Sequence, residues 1–540
     1  MRTCRTLFVI SIFVAILTCA ANGGTIYVDA SATGANNGSS WGNAYIYLQD
    51  ALAAAISGDN IWVAQGTYKP DQGVGKTPGD RMATFDLKDG VSIYGGFPIG
   101  GVTWEERDPD SYETILSGDL NGDDEPNFVN NGENSYIICR IDWLPGKTVL
   151  DGFTIKGATG TGTAGGVGLY NRGGQMAVVN CKFLNNYSNV TAAIRFYNPN
   201  GIGTLTGFEI TDCLFQNNSG REVVYMRGSS PVFRNCLFKQ NTATSSMIQC
   251  SSRVGSPEPE IYSNPTFINV ALIGNSANNY HNGVMRIDGE CTSLLINCVL
   301  AANSDPAICA LGMSGFGMTT LVNCTIVGNG EIGIYGKPPI SAPIYLTNCI
   351  IWGNSLVGIT AVTSSCIQDA DPNDSDIPFG GVANHNIDDN PRFMRDPSPG
   401  ADGVWGTADD DYGDLRLQHT SPCIDSADNA SLPADTTDLD GDGNTTEPIP
   451  YDLDGHPRIV DGDCNSTSVV DMGAYEFSYI YLGDFAGGCN VDFADLEVLA
   501  EQWLQPPGTP SADIAPQPNG DGIVNFLDFA ILASHWLEGI

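Results

Sequence analysis

Oxygen-bearing side chains crowd a short loop near the C-terminus of this 540-residue chain. The residues that match positions 3, 5, 7, 9 and 12 of a twelve-residue calcium loop are Asn519, Asp521, Ile523, Asn525 and Asp528. Gly522 stands at position 6, where such a loop turns sharply, and position 7 contributes a backbone carbonyl oxygen. Position 1 has two candidates, because direct counting gives Gln517 and Asp513 fits if residues 515–518 bulge out. The loop therefore predicts a Ca2+ site.

The same arrangement occurs once more, 33 residues earlier. In this first copy Asp484, Asp492 and Asp495 match positions 1, 9 and 12, whereas Ala486 and Gly488 stand where further ligands are expected. Each loop precedes a predicted helix with apolar residues at i, i+3, i+4 and i+7. They are Leu496, Leu499, Ala500 and Trp503 in the first copy, and Phe529, Leu532, Ala533 and Trp536 in the second. The duplication favours a metal-binding module over a solvated Asp/Gly turn.

Arginine, tyrosine and glutamine recur at one position of four successive predicted strands, as Arg195, Tyr225, Gln249 and Arg286. Strand alternation points these side chains outward, where they could stack on sugar rings and hydrogen-bond to them. An ordinary solvated strand face has the same composition, so both interpretations stay open. Glu222, Asp288 and Glu290 are nearby carboxylates, but no closely spaced pair marks a catalytic acid and base. The sequence does not show catalysis, and whether the protein is an enzyme stays open.

Two other acidic segments have the composition of calcium loops; a solvated surface loop explains the first better than a calcium site does, and explains the second equally well. Their carboxylates are Asp119, Asp123 and Asp124, and Asp438, Asp440 and Asp442. The five histidines are scattered without metal-ligand spacing. The sequence also has no Gly-rich phosphate loop, zinc pattern or nucleophile elbow.

The strands that would position the Arg/Tyr/Gln residues belong to a sevenfold repeat between residues 179 and 354. In each copy, Asn or Asp precedes a position that is cysteine, or once Val270, and an apolar residue follows two positions later. The cysteines are Cys181, Cys213, Cys236, Cys298, Cys324 and Cys349. Five positions after the cysteine there is always an asparagine: Asn186, Asn218, Asn241, Asn275, Asn303, Asn329 and Asn354.

The spacing of these repeats, 23 to 34 residues, suits one turn of a solenoid. Alternation around each cysteine predicts a strand with the cysteine and the apolar residue inside. The asparagine predicts a turn, because Asn tolerates the left-handed conformation and bonds to neighbouring backbone. Stacked coils would align the cysteines as buried reduced thiols. Disulfides are the alternative, since stacked coils lie ~4.8 Å apart.

Residues 24–395 resemble the right-handed parallel β-helix (pectate-lyase-like) proteins that bacteria secrete. The resemblance implies an all-β fold, a right-handed single-stranded parallel β-helix. The Ala-rich stretch Tyr45–Ile56 predicts an amphipathic helix that caps the N-terminal end, because an uncapped coil is an exposed edge. A leucine-rich solenoid would instead show a leucine framework and helices between these strands, and the sequence has neither.

Residues 396–478 are rich in Asp, Gly and Pro, and the stretch from Ser421 to Phe477 within them resembles the choice-of-anchor-type segment of secreted β-helix proteins. That resemblance implies closure of the helix, and Cys423 and Cys464 are the disulfide candidates there. Residues 483–540 resemble a type I dockerin, a small α-helical calcium-binding domain with Asp at loop position 12. This second resemblance implies docking onto a cohesin-type protein on a scaffold or cell surface.

Residues 1–23 predict a secretory signal, with Arg2 and Arg5 before the apolar run Leu7–Leu17, and Cys19 leaves a lipoprotein signal as the alternative. No later segment is long and apolar enough to predict a membrane span. With 62 acidic and 24 basic residues, the chain carries a net charge of −38, which argues against nucleic acid or an anionic membrane as partner. A polyanionic substrate would need calcium or a local basic patch.

These patterns predict a secreted, extracellular or cell-surface β-helix protein that binds a polysaccharide or cell-surface glycan, or serves as an adhesive element. It would be attached or recruited through its dockerin-like module. The alternative is a polysaccharide lyase or glycoside hydrolase of the pectate-lyase-like group, with its site on the face from Arg195 to Arg286.

Overall fold

The computed structural model describes residues 23–143, 145–160, 166–198, 206–252, 261–277, 283–304, 308–311, 317–330, 332–336, 343–368, 377–407, 409–478, 483–486, 490–508, 511–515 and 520–537. Residues 1–22 of the predicted signal and the predicted loop residues Gly488, Gln517 and Asn519 lie outside the described residues. The statements below concern the described residues.

Three long sheets form the body of the protein, and the strands of one coil belong to three different sheets. One coil, for example, contains Met176–Val179 in sheet A, Lys182–Leu184 in sheet B and Thr191–Tyr197 in sheet C. Each strand pairs in parallel with the equivalent strands of the coils before and after it. The body is therefore a parallel β-helix, as the repeat predicts.

The sheets have twelve, eleven and thirteen strands. Sheet A consists of Thr25–Val28, Asn60–Ala64, Ser92–Phe97, Thr148–Asp151, Met176–Val179, Phe208–Thr211, Val232–Arg234, Thr266–Ile268, Thr292–Ile296, Met318–Val322, Ile344–Thr347 and Ala361–Thr363. Sheet B consists of Gly66–Tyr68, Thr114–Ser117, Phe153–Lys156, Lys182–Leu184, Leu214–Gln216, Leu237–Lys239, Ala271–Ile273, Val299–Ala301, Thr325–Val327, Ile350–Trp352 and Cys366–Ile367. Sheet C consists of Phe85–Asp86, Ile137–Asp142, Thr159–Gly160, Val167–Arg172, Tyr187–Ser188, Thr191–Tyr197, Ser219–Arg227, Thr242–Ser251, Ser276–Ala277, Met285–Asp288, Ile308–Leu311, Ile332–Gly336 and Ser355–Val357.

The repeated cysteines line the interior as predicted. All six are buried free thiols, and they share one continuous core with the apolar residues two positions later. The Phe215 ring stacks between those of Phe183 and Phe238, with centroid distances of 5.0 and 4.2 Å. The prediction of reduced thiols over disulfides is confirmed for these residues.

The repeated asparagines form a hydrogen-bonded ladder at the corner between sheets B and C. The Asn218 side-chain amide donates to Oδ1 of Asn241 at 3.0 Å and to the backbone carbonyl of Phe183 at 2.8 Å. Equivalent side-chain bonds join every neighbouring pair from Asn186 to Asn354. Each ladder asparagine is buried, so these bonds take the place of the hydrogen bonds that water would make to its side-chain amide and to the backbone of the turn.

The left-handed residues lie elsewhere than the sequence predicts. Asn218 is not among the residues with positive φ; the residue before it, Asn217, has φ 54°. A second left-handed position is the Asn or Asp before each cysteine, such as Asp212 at φ 54° and Asn235 at φ 51°. The ladder asparagines therefore close their turns through side-chain hydrogen bonds, and their neighbours take the left-handed conformation.

An α-helix, Leu48–Ala54, covers the N-terminal end of the solenoid and is shorter than the predicted segment. Leu48, Ala51 and Leu52 are buried in the same core as Val28 of the first strand. This packing fulfils the predicted capping role.

The acidic segment 396–478 packs along the flank of the β-helix. The strand Phe393–Arg395 just before this segment pairs antiparallel with Asp414–Leu417 within it, and the two bury Phe393 and Leu417 together with Val327 and Ile350 of sheet B. Its backbone also accepts hydrogen bonds from the left-handed asparagines at the corner between sheets A and B; the Asn323 amide, for example, donates to the Asp471 carbonyl at 3.0 Å. The resemblance implies closure of the helix, and the structure adds a lateral contact that spans several coils.

The C-terminal module has a small core of its own. Its helices are Phe493–Glu501 and Phe526–Ser534, and Leu499 and Leu532 of the predicted helix faces lie buried in it. Six short 3-10 helices complete the described elements: Trp41–Asn43, Trp104–Glu106, Pro126–Phe128, Asn131–Glu133, Gly381–Asn384 and Asn429–Ser431. No helix in the described ranges is long and apolar enough to cross a membrane.

Candidate functional site

The four predicted stripe residues lie side by side on the outer face of sheet C. Arg195 pairs in register with Tyr225, Tyr225 with Gln249, and Gln249 with Arg286. Three strand spacings separate the first arginine from the last, about 14 Å along the solenoid axis. Arg195, Tyr225 and Arg286 are partly exposed, whereas Gln249 is only 7% exposed. The structure therefore brings together all four residues that the sequence singled out.

A second row of outward residues lies two positions further along the same strands. Tyr197 follows Arg195, Arg227 follows Tyr225, and Asp288 follows Arg286. Tyr197 pairs in register with Arg227. The sequence analysis missed Tyr197 and Arg227, although strict alternation along each strand would have found them.

Arginine side chains interleave with tyrosine rings on this face. The guanidinium carbon of Arg195 lies 5.0 Å from the ring centroid of Tyr225 and 5.5 Å from that of Tyr197. The Arg227 guanidinium lies 5.7 Å from the Tyr197 ring. Such cation–π contacts hold the charged groups at the surface in fixed positions. We call Arg195, Tyr197, Tyr225 and Arg227 the Arg/Tyr face.

Two of the arginines on sheet C differ from the others in forming no ion pair, although the buried Glu222 carboxylate interacts with the charge of Arg195. Arg286 forms an ion pair with Asp288 at 2.8 Å, and Arg140, Arg172 and Arg221 also pair with carboxylates. Neither Arg195 nor Arg227 makes an ion pair with any described residue. In a protein with a net charge of −38, these two guanidinium groups form a local cationic site.

Burial raises the pKa of the Tyr225 hydroxyl, and the charges of Arg227 and Arg195 oppose that rise. Tyr170 lies next to Arg195 on the preceding strand, and burial raises the pKa of its hydroxyl as well. Both phenols therefore stay protonated at neutral pH and can donate hydrogen bonds to a ligand.

The carboxylates near the face do not form a catalytic pair. Glu222 is 2% exposed, lies 3.2 Å from the Arg221 guanidinium, and its pKa is raised by burial. Asp288 accepts hydrogen bonds from Arg286 and Gln249, each at 2.8 Å. The register places the two acids five residues apart along the strand direction, about 17 Å. That backbone separation does not suit the ~5–9.5 Å spacing of the paired carboxyl groups in glycoside hydrolases.

A cavity of about 690 Å3 lies beside this region, at the corner between sheets B and C. The predicted acidic loop forms one wall, where the Asp119 carboxylate accepts backbone N–H bonds from Gly122, Asp123 and Asp124. Asp119, Asp123 and Glu133 offer carboxylate oxygens within 4.8 Å of one another. Burial, followed by the charges of Asp119 and Glu133, raises the pKa of Asp124 to about 6. The donors in this loop suit a divalent cation.

Two more carboxylate groups converge in the acidic segment. Asp438, Asp440 and Asp442 offer oxygens within 4.8 Å, as the spacing in the sequence suggests, and Glu447 joins Asp435 and Asp440. In the part of the chain that the structure describes, Oε1 of Glu447 is buried without a hydrogen-bond donor. An orphaned buried oxygen beside an all-oxygen donor set fits Ca2+.

The other group joins residues that are distant in sequence: Asp425, Asp461 and Asp463. Oδ1 of Asp425 is also buried without a donor among the described residues. Burial raises the pKa of Asp425 to about 6, and the neighbouring Asp463 adds to the rise. The sequence analysis did not find this group, because its members come from two separate loops.

The predicted loop residues of the C-terminal module bind mainly backbone groups, and the Asn525 amide also donates to the Asp521 carboxylate at 3.3 Å. Asp513 accepts the N–H groups of Asp521 and Gly522 at 3.0 and 2.7 Å, so it lies at the loop turn. Asp528 accepts from Ile514 at 2.7 Å and from Asn525 at 2.7 Å. No three carboxylates of the described loop residues lie within 4.8 Å. The oxygen donors suit Ca2+ by type, and Ile523 and Asn525 stay predicted ligands.

The first copy repeats this scheme. Asp495 accepts the N–H groups of Ala486 and Asp492 at 2.8 and 2.7 Å, and Asp492 caps the helix as Asn525 does in the second copy. Asp484 is a described residue at the start of this loop. The structure thus supports the duplication, and the calcium ligands remain a prediction.

The proposed disulfide between Cys423 and Cys464 is wrong. Cys423 is a buried free thiol, whereas Cys464 is disulfide-bonded. Cys423 instead lies against the Cys366 thiol of sheet B, where the acidic segment packs on the helix.

Comparisons with known proteins are sparse. No protein-family model and no curated protein matches this chain. Among solved structures, pectate lyase Pel9A is 16% identical, with 85% of this chain and 97% of that chain covered and a TM-score of 0.46. A rhamnogalacturonan lyase is 13% identical (73% and 97% covered, TM-score 0.29). PfbA, a surface adhesin of Streptococcus pneumoniae, is 11% identical (61% and 92% covered, TM-score 0.25). At these values, the fold rests on the sheets described above and no activity follows.

Proposed function

We propose that this protein is an extracellular polysaccharide-binding protein whose Arg/Tyr face holds an acidic glycan. The observation that carries the proposal is the pair of guanidinium groups, Arg195 and Arg227, that form no ion pair with a described residue of a strongly acidic protein. An acidic glycan is repelled by most of the protein surface and attracted to the Arg/Tyr face. The charge of this face therefore favours acidic glycans and determines where they bind.

A uronate residue suits this arrangement chemically. The planar guanidinium donates two parallel hydrogen bonds to a carboxylate, and the tyrosine rings beside it offer flat surfaces for the sugar. The cation–π contacts fix Arg195 and Arg227 before binding, which lowers the entropy cost of ordering them. Because equivalent positions repeat from coil to coil, the face suits a chain that runs along the solenoid axis.

Binding is favoured over cleavage by the positions of the acids. Glu222 is buried and Asp288 is held by Arg286 and Gln249, so neither is placed to act with the other across a sugar bond. A polysaccharide lyase or glycoside hydrolase of the pectate-lyase-like group, with its site on the face from Arg195 to Arg286, remains the alternative function.

The proposal is tested by affinity electrophoresis of the mature protein in gels that contain polygalacturonate or alginate. Wild-type protein is expected to be retarded, and the R195A/R227A double variant to lose most of that retardation. Arg395→Ala is the matched control, because it removes one positive charge from the antiparallel strand pair away from sheet C. Equal retardation of wild type and double variant would refute the proposed face. Release of unsaturated oligosaccharides, detected by ultraviolet absorbance, would instead establish the lyase.

The C-terminal module is proposed to recruit the protein to a partner, in a calcium-dependent manner. Its two helices expose large apolar side chains: Phe493 is 77% exposed, Phe526 74% and Leu527 54%. The module is internally symmetric, because Phe493 contacts the Trp536 ring at 5.2 Å and Phe526 contacts the Trp503 ring at 5.0 Å. An exposed apolar patch on a small domain is typical of a protein-binding surface. A cohesin-type protein is the partner that the dockerin resemblance implies.

This second proposal is tested by pull-down with a recombinant cohesin domain, with calcium and with a chelator. The F493A/F526A variant is expected to lose binding, and Ile56→Ala, which removes an exposed apolar side chain at the other end of the chain, is expected to retain it. Binding that survives both the chelator and the double variant would refute this role.

A further inference from the structure

Aromatic side chains cluster on the outer face of sheet A, near the N-terminal end of the solenoid. Tyr27, Trp62 and Tyr94 lie on three consecutive strands, with Tyr27 paired in register with Trp62 and Trp62 with Tyr94. Their sequence neighbours Ile61, Val63 and Ile93 are fully buried, so alternation directs the three rings outward.

Two more tryptophans extend this row from the flanking 3-10 helices. The Trp41 ring lies 4.9 Å from that of Tyr27, and the Trp104 ring lies 5.7 Å from Trp62 and 4.8 Å from Tyr94. We call Tyr27, Trp41, Trp62, Tyr94 and Trp104 the aromatic platform. It contains three of the eight tryptophans of the chain, and all of its members except Tyr94 line an open cavity of about 640 Å3.

Local backbone contacts hold the loop that carries Trp104. The Gly100 N–H donates to the buried Asp29 carboxylate at 2.8 Å, and Thr103 and Glu106 form a capping box around the 3-10 helix. Gly101 has φ 75° and lies directly against the Trp41 ring, where an added Cβ would be 2.0 Å from a ring atom. The platform is therefore formed before any ligand arrives, although Trp104 is still 42% exposed.

The charge around the platform is negative. Glu105 and Glu106 lie on the rim of the cavity. The cation beside the platform, Arg107, is already engaged, because its guanidinium binds the Asp151 carboxylate at 2.6 Å and lies 5.2 Å from the Trp104 ring centroid, and its side chain is only 9% exposed. A uronate would therefore meet carboxylates here without a free cation, unlike at the Arg/Tyr face.

We propose that the aromatic platform is a second glycan site, specific for a neutral polysaccharide. Pyranose rings present a face of weakly positive C–H groups, which complements the negative face of an aromatic ring, and Trp62 and Trp104 both line the cavity. Sugar hydroxyls can donate hydrogen bonds to Glu105, and an uncharged chain pays no electrostatic cost at the acidic rim. This site differs in charge, sheet and position from the Arg/Tyr face, and its existence does not depend on the function proposed there.

The site is tested by affinity electrophoresis of the mature protein in gels that contain xyloglucan, galactomannan or mixed-linkage β-glucan, with polygalacturonate in parallel. Wild-type protein is expected to be retarded by at least one neutral polysaccharide. Trp104→Ala is expected to weaken that interaction at least tenfold and to leave retardation by polygalacturonate unchanged. Trp143→Ala is the matched control, since Trp143 is 39% exposed and lies outside the platform.

Three results would overturn the inference. They are no retardation of wild-type protein by any neutral polysaccharide, equal retardation of wild type and Trp104→Ala, and loss of polygalacturonate binding in Trp104→Ala. If Trp104→Ala alters the far-ultraviolet circular dichroism or lowers Tm, Trp104→Phe decides the question, because it keeps an aromatic ring and should keep part of the neutral-glycan binding. The proposed function of the Arg/Tyr face is tested separately, by the retardation of the R195A/R227A variant in the polygalacturonate gels.

Discussion

The guanidinium group of Arg195 lies 5.0 Å from the ring centre of Tyr225, the residue that pairs with it in register on the next coil. The two residues are thirty positions apart in the chain, and only the stacking of coils brings them into contact. Arg227, two residues after Tyr225, adds a second guanidinium group at the Tyr197 ring. This pairing makes a cationic, aromatic surface on an acidic protein, and it gives the first prediction.

Arg195→Ala and Arg227→Ala are each expected to weaken binding of polygalacturonate about tenfold or more, because a charge-assisted bond to a carboxylate contributes ~1.5–3 kcal/mol. Binding by wild-type protein should also weaken as salt rises, since the groups are at the surface. Isothermal titration at two salt concentrations measures both effects. Arg195→Lys separates charge from geometry: it keeps the charge but loses the paired hydrogen bonds, and it should fall between wild type and Arg195→Ala.

Glu222→Gln is expected to stabilise the protein at neutral pH. Burial raises the folded-state pKa of Glu222, so between its unfolded pKa and its folded pKa the native state binds more protons than the unfolded state. The contribution of Glu222 to the free energy of unfolding is therefore lost as pH rises through that interval. Glutamine does not ionise, so the variant does not lose this stability. Thermal melts should show Tm about 1–2 °C above wild type at pH 7 and little difference at pH 4. A lower Tm at pH 7 would mean that the ion pair with Arg221 outweighs burial.

Asn241→Ala should destabilise the β-helix by about 2–4 kcal/mol, because it leaves several buried groups without partners. The Asn241 side chain accepts from the Asn218 backbone N–H at 2.9 Å and donates to the Phe215 carbonyl at 2.8 Å and to Asn275 at 2.9 Å. Denaturant unfolding measures the change. Gln216→Ala is the control: it removes an amide of similar size whose bond to Gln240 is exposed, and it should cost less than about 1 kcal/mol.

The buried thiols of the repeat should resist alkylation in the native protein. Burial raises the pKa of Cys181 and of Cys349, so neither forms the reactive thiolate, and both side chains are inaccessible. Iodoacetamide followed by peptide mass spectrometry should label them only after denaturation. Labelling of Cys181 or Cys349 without denaturant would contradict a rigid, stacked interior.

Removal of calcium is expected to destabilise the acidic segment and the C-terminal module more than the β-helix. The orphaned oxygens of Asp425 and Glu447 lie in groups of carboxylates that repel one another without a cation. In calorimetry, a chelator should lower the midpoint temperature of one unfolding transition, and added calcium should restore it. Asp440→Asn, which reduces the negative charge shared by two of these groups, should diminish the calcium effect. A calcium-independent transition would remove these groups from consideration as metal sites.

The sequence predicted the solenoid, its interior and its corner, because those features depend on short-range periodicity. A cysteine and an apolar residue two positions apart must lie on the same face of a strand. Residues at equivalent positions of consecutive coils must then stack on one another. The same reasoning gave the stripe from Arg195 to Arg286, the N-terminal cap and the duplicated C-terminal module. The prediction of a left-handed Asn218 was wrong by one residue, because Asn217 has that conformation. The pattern of the strands is the same for either position, so it does not determine which residue of the turn is left-handed.

Only the tertiary structure determines which arginines of sheet C lack an ion pair, and which carboxylates and aromatic rings distant in sequence come into contact. Arg286 has Asp288 on its own strand, whereas Arg227 lies in register between Tyr197 and Ser251, and this depends on the lateral register of coils of unequal length. Asp425 meets Asp463 because the acidic segment folds back along sheet B, and Trp104 reaches Trp62 because Gly101 allows the loop to pass Trp41. Such contacts join residues far apart in the chain, and their formation depends on loop lengths and packing that no local pattern specifies.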